Sequence, residues 1–168
     1  MQQFLIPAKR AQLLKGKALM DSVHKRLGCK VEVRNDNELV IDGDALNEYN
    51  ARVVMQAFAR GFDFDTACKL LSDERFFETI DMKQLFKNEA QIKRIKARII
   101  GTDGKAKTYV QSVSGADIAV YGDTVSLIGT VDEIRVARAA VEVLLEGGTH
   151  KKAYMIMEKA KRRLREER

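Results

Sequence analysis

The chain has 168 residues, 45% of them hydrophobic, which is enough to bury the core of one compact domain or two small ones. No apolar run reaches the roughly 18 residues of a membrane span, and the opening MQQFLIPAKR lacks a long apolar signal segment, so the expectation is a soluble, cytoplasmic protein. The net charge is +6, and the two cysteines, Cys29 and Cys68, have neither zinc-site nor disulfide spacing and read as buried free thiols.

In chain order, QQFLIP reads as an extended piece and AKRAQLL as a basic helix. A break follows at KGKA, residues 15–18, and then a second helix, LMDSVHKRLG. From Gly28 to Val33 apolar and polar residues alternate as in a half-buried strand, and ELVIDG repeats that pattern. The turn formers Asn35, Asp36 and Asn37 between them predict a hairpin. A helix-period run containing Ala51 and Arg52 then closes at Gly61, as a C-terminal cap prefers.

DFDTACKLLSDE predicts a short connecting helix, capped by Asp63 or Asp65, with Ala67, Leu70 and Leu71 on one face. The pattern then starts again. FFETIDMKQLF reads as extended, NEAQIKRIKARII as a basic helix, GTDG as a break and KAKTYVQSVSG as a helix. Strands at Gly115–Val120 and TVSLIG flank Gly122-Asp123, and a helix containing Ala137 and Arg138 closes at Gly147. In both copies the Ala-Arg pair begins eight residues, and the closing glycine lies eighteen residues, after the glycine that ends the second hairpin strand. Shared spacings of this kind mark two copies of one unit, running strand, helix, helix, strand, strand, helix. Three strands and three helices per unit predict an α+β layer fold with an antiparallel sheet covered by helices. The tail, KKAYMIMEKAKRRLREER, sets Ala153, Ile156 or Met157, Ala160 and Leu164 at helical spacing among basic residues.

Charge is segregated. Residues 1–28, 87–107 and 150–168 each carry a net +5, which leaves −9 on the rest of a +6 chain. Clustered cations on an acidic body are the footprint of a polyanion binder. Within the second cluster, a break at Gly101-Thr102-Asp103-Gly104 leaves the first-turn N–H groups of the next helix without helical partners, a ready site for phosphate. Glycine lets the phosphodiester approach closely.

Ile99-Ile100-Gly101-Thr102-Asp103-Gly104-Lys105, followed by Gly115 and an alternating strand, resembles the GxxG signature of the KH domain. In such domains the loop grips about four nucleotides of a single strand while bases lie in an adjacent apolar groove. The order of elements resembles the eukaryotic-type (type I) KH fold. This implies two tandem KH domains, at 1–62 and 76–148, joined by a connecting helix at 63–75 and followed by a basic helix at 149–168. By this resemblance Gly101, Thr102, Asp103 and Gly104 form the gripping loop, Arg98, Lys105 and Lys107 meet phosphates, and Ile100, Val110 and Ile118 line the groove or belong to the core. Lys9, Arg10, Lys15, Lys17, Lys151, Lys152, Arg162 and Arg163 add secondary basic contacts. The first copy has Lys15-Gly16-Lys17-Ala18 in place of a full GxxG, and its interval from Gly16 to Gly28 is two residues shorter than from Gly101 to Gly115. Its loop is therefore expected not to grip RNA in the same way.

ARGFDFDTACKLLSDE, RIKARIIGTDGKAK, YGDTVSLIG and the tail His150, Tyr154 and Glu158 are similar to the archaeal tandem-KH ribosome-assembly factors, counterparts of the eukaryotic partner-of-Nob protein. That family implies binding near the 3′ end of small-subunit ribosomal RNA during maturation, alongside the Nob endonuclease, the ribosomal RNA dimethyltransferase or a translation initiation factor, with no catalysis, cofactor or metal of its own. A scaffold that binds translation or maturation proteins through the first unit and tail is the alternative. His24 and His150 have no Cys or Ser arrangement near them. Asp42, Asp44, Asp63 and Asp65 imitate nuclease ligand spacing, but they fall where turns and helix caps need carboxylates.

Overall fold

In the computed structural model, which describes residues 1–168, the first unit spans Met1–Leu71 and the second Ser72–Arg168. The first contains β1 (Gln2–Leu5), α1 (Ala8–Leu14), α2 (Lys17–Leu27), β2 (Lys30–Val33), β3 (Glu38–Asp42), α3 (Ala45–Ala59) and α4 (Phe64–Ala67). Its antiparallel sheet runs β1-β3-β2, with Phe4 and Val33 opposite Leu39, and Val31 opposite Ile41. The central strand is paired on both edges, and Leu39, Val40 and Ile41 are buried. Ala11, Leu14, Val23 and Leu27 from the first two helices, and Met55 and Phe58 from α3, complete the core.

The second unit contains β4 (Phe76–Asp81), α5 (Met82–Leu85), α6 (Glu89–Ile100), α7 (Lys105–Ser114), β5 (Asp117–Tyr121), β6 (Thr124–Gly129), α8 (Val131–Leu145) and α9 (His150–Glu166). Its sheet has the same order, β4-β6-β5, again antiparallel throughout. Ile92, Ile95 and Ile99 recur at helical spacing on α6 and enter a core shared with Leu127, Leu144 and Met157. Thr130 begins α8 with a capping box: its hydroxyl accepts from the Glu133 N–H at 3.2 Å, and the Glu133 carboxylate accepts from the Thr130 N–H at 2.8 Å.

The elements follow the sequence reading with two corrections. The extended piece expected over Phe76–Phe86 stops at Asp81, whose carboxylate accepts from the Lys83 N–H at 3.0 Å and starts the single turn α5. In the connecting segment Asp63 caps α4 through the Thr66 N–H at 2.8 Å, but the helix tightens at Cys68–Leu71 into a 3-10 turn. The change of pitch sends Cys68 inward with Ala67 and leaves Leu71 exposed. Both cysteines are free and buried, and desolvation raises their thiol pKa values.

Candidate nucleic-acid interface

The break between α6 and α7 is four residues long. Its backbone takes a path open to very few sequences: Gly101 has φ 75° and ψ 174°, Asp103 φ 55° and Gly104 φ 74°. A Cβ on Gly101 would lie 2.6 Å from the Ala106 Cβ and 2.7 Å from the Ala106 nitrogen, so position 101 excludes every side chain. A Cβ on Gly104 would meet nothing within 4 Å, so that glycine is required by its left-handed backbone and its surroundings are open. Asp103 also adopts the left-handed conformation, which Asp tolerates better than most residues.

No side chain caps α7. The helices α3, α4, α5, α6, α8 and α9 each have an Asp, Asn or Thr cap. At α7 the Lys105 N–H turns back to the Thr102 carbonyl, and the first-turn amides of Ala106 and Lys107 have no side-chain acceptor. Uncapped first-turn amides and the positive end of the helix dipole favour an anion at this point. Thr102, Asp103 and Lys105 are exposed, and Lys107 is half-buried.

Other expected site residues lie differently. Val110 and Ile118 are 2% and 3% exposed, so they support this region from within the core and do not themselves form a surface. Ile100 is half-buried. Arg98 is committed elsewhere: its guanidinium donates to the carbonyls of Gly147, at 3.3 Å, and Gly148. Its own carbonyl accepts a hydrogen bond from His150 Nε2–H at 2.7 Å. Arg98 thus fastens the last turn of α6 to the α8–α9 turn. A concavity of about 630 Å³, lined by Ile80, Leu85, Phe86 and Leu145, does not include the loop.

The tail motif forms a latch on the loop-bearing helices. His150, Tyr154 and Glu158 stand one turn apart on α9. His150 holds α6, while the rings of Tyr154 and Tyr109 of α7 lie 4.5 Å apart at 58° and the Tyr109 hydroxyl donates to Glu158. That hydrogen bond to the carboxylate raises the Tyr109 pKa, and burial raises that of Tyr154. Lys161 Nζ adds a bond to the Val113 carbonyl. Tyr109 is not among the residues singled out from sequence; the i, i+4, i+8 spacing of its partners is the only trace of this arrangement there. Lys93 and Arg94 on α6 are also exposed cations outside the expected set.

At the first break, α1 ends at Leu14 and α2 begins at Lys17. Gly16 has φ −68° and ψ 120°, available to most residues. Lys9, Lys15 and Lys17 are exposed, whereas Arg10 is an internal tie. Its guanidinium donates to the carbonyls of Phe58 and Phe62 and stacks 4.1 Å from the Phe58 ring centroid. His24 Nε2–H donates to the Val31 carbonyl at 2.8 Å. Three of the four carboxylates with nuclease-like spacing are also engaged: Asp44 caps α3, Asp63 caps α4 and Asp65 pairs with Arg26.

Residues 76–162 match the eukaryotic type KH-domain (KH-domain type I). The chain is 36% identical over 167 residues to a KH domain-containing protein of Methanocaldococcus jannaschii, covering 95% of this chain and 74% of that one. It is 31% identical over 134 residues to the pre-rRNA-processing protein PNO1 of Debaryomyces hansenii, covering 79% of this chain and 52% of that protein. The chain thus spans about half the length of that PNO1 relative. A crystal structure of an a/eIF2alpha-aDim2p-rRNA complex from Pyrococcus horikoshii matches with a TM-score of 0.86 and 30% identity, over 96% of this chain and 93% of that chain.

Proposed function

We propose, for a chain that belongs to the KH-domain family of the PNO1 pre-rRNA-processing proteins and archaeal Dim2p, that it is a non-enzymatic RNA-binding protein of ribosomal RNA maturation. In this reading both units are KH modules, the second carries the working loop, and the ligand is single-stranded RNA near the 3′ end of small-subunit ribosomal RNA. The observation that carries the reading is the loop Gly101–Gly104, whose left-handed glycines open onto the uncapped start of α7 within the matched residues. Such a surface takes a phosphate by backbone N–H groups and offers no nucleophile or paired acid and base. Lys105 and Lys107 add charge beside it. Arg98 holds the loop's first hinge in place and leaves phosphate contact to other groups.

Thr102→Asp tests this without disturbing either glycine. It places a second carboxylate beside Asp103 at an exposed position where the strand would pass. Fluorescence anisotropy with a labelled single-stranded RNA copied from the 3′ end of small-subunit ribosomal RNA should show at least about a tenfold loss of affinity, from like-charge repulsion in the anion site. Unchanged affinity would move the RNA away from this loop.

A second reading, a scaffold for translation or maturation proteins, is favoured by the presence of a/eIF2alpha in the complex formed by the Pyrococcus horikoshii relative. It assigns the first unit and tail to protein contacts. The two readings separate on the same substitution, because a scaffold would retain its protein partners and lose little by Thr102→Asp.

A further inference from the structure

Helix α9 is held by one stripe, with Ala153 and Met157 fully buried and Ala160, Lys161 and Leu164 half-buried. The opposite side exposes Lys151, Lys152, Lys159, Arg162 and Arg163 around a lone apolar residue, Met155. At 100° per residue these five cations share one face with a single carboxylate, Glu166, because Glu158 turns away to Tyr109. None of the five is held in an ion pair, in contrast to Arg168, which is paired with Asp132.

A row of cations on a surface helix is ordinarily just solvated. Here the helix is latched at His150, Tyr154, Glu158 and Lys161 to the two helices that form the phosphate loop, so the charges occupy fixed positions on the same body. From Lys152 to Arg163 the row is about 16 Å long. At roughly 3.4 Å per phosphate in a stacked strand, about five phosphates fit beside it.

We infer that the outward face of α9 is a second RNA-backbone surface, a basic rail that holds the segment flanking the nucleotides taken by the loop; this rests on the RNA-binding reading of Gly101–Gly104. An acidic protein would be the other polyanion to consider. A stable protein interface requires an apolar or aromatic centre, and this face offers only Met155, 61% exposed. An array of cations without such a centre fits a phosphate backbone, which is bound by charge and counterion release.

The test uses the full chain and two labelled single-stranded RNAs from the 3′ end of small-subunit ribosomal RNA, one of about 30 nucleotides and one of about six, the latter little longer than the four that a GxxG loop holds. Lys152→Gln, Lys159→Gln and Arg163→Gln are combined; all three side chains are exposed, so the fold is preserved. Three lost phosphate contacts should lower the slope of log affinity against log salt by about 2 on the long RNA, and weaken its binding at least about tenfold at low salt. The short RNA should bind nearly as before. An unchanged slope on the long RNA overturns the rail. Equal losses on combining Lys9→Gln, Lys15→Gln and Lys17→Gln also overturn it, because the effect would then be one of net charge. Equal losses on the short RNA and on the long one overturn the assignment to a flanking segment. Thr102→Asp should weaken both RNAs; if it weakens neither while the α9 variant lowers the slope, the loop has failed as the site and the basic face has not.

Discussion

The two units share the order strand, helix, helix, strand, strand, helix and differ at the joint between the first two main helices. In the first, α1 passes to α2 through Lys15 and Gly16, in ordinary backbone conformations; in the second, α6 passes to α7 through four residues, three of them left-handed. Elsewhere the parallels are close. An arginine on the helix before the joint, Arg10 or Arg98, donates to carbonyls just past or within the end of the unit's third main helix. A histidine donates to a carbonyl in each, and Asp44 or Thr130 caps the following helix. On the proposed reading, the difference teaches that this fold does not itself make a phosphate site; two additional residues in the joint and glycine at the positions that bend back do so.

The comparison can be broken most forcefully at the glycines. Gly101→Val should cost about 3 kcal/mol of stability from strained backbone and overlap with Ala106. Gly16→Ala, at φ −68° with its nearest neighbour the Leu13 carbonyl at 3.3 Å, should change stability by less than about 1 kcal/mol in either direction. Urea denaturation of both variants checks the contrast, and equal losses would mean the two joints are built alike. The arginines come next. Arg98→Met and Arg10→Met should each cost about 2 kcal/mol, because each leaves two carbonyls without a charged donor. If Arg98→Met instead leaves stability untouched and lowers the salt dependence of RNA binding, Arg98 is a phosphate contact.

Smaller effects test the parallels. Asp44→Ala and Thr130→Ala should each cost about 1 kcal/mol as lost helix caps, measured by thermal unfolding. The least effect concerns alkali. Both cysteines lie in the first unit, and burial raises their pKa values, so stability from the neutral thiols is complete below the unfolded thiol value of about 8.5. It is lost as pH rises from there through the higher folded values. Hydrogen exchange should therefore show the first unit loosening as pH rises above about 8.5. Cys29→Ala with Cys68→Ala should flatten that dependence.

The sequence carried the joints of the fold because their signals are local: alternation in Val31 and Ile118, glycines after helices, and Asp63 as a cap all act within a few residues. It missed α5 because Asp81, read as part of an extended run, ends the strand by bonding the backbone two residues on. The face of the connector was misjudged because a 3-10 pitch at Cys68 depends on tertiary packing. At the site, the glycines were legible, since few other residues fit their backbone. The duties of Arg98 and Arg10 were not. An arginine in a basic helix looks the same whether it faces a phosphate or two carbonyls about 50 residues away. Likewise the His150, Tyr154 and Glu158 spacing marks a shared helix face without revealing that Tyr109 lies beneath it.

The most direct measurement is the amide spectrum of the full chain during titration with single-stranded RNA from the 3′ end of small-subunit ribosomal RNA. The amides of Gly101 through Lys107 should move most and saturate together, while those of Lys15 through Leu19 stay close to their free positions. Saturating binding that leaves Gly101 through Lys107 unmoved would contradict the assignment of the phosphate grip to this loop.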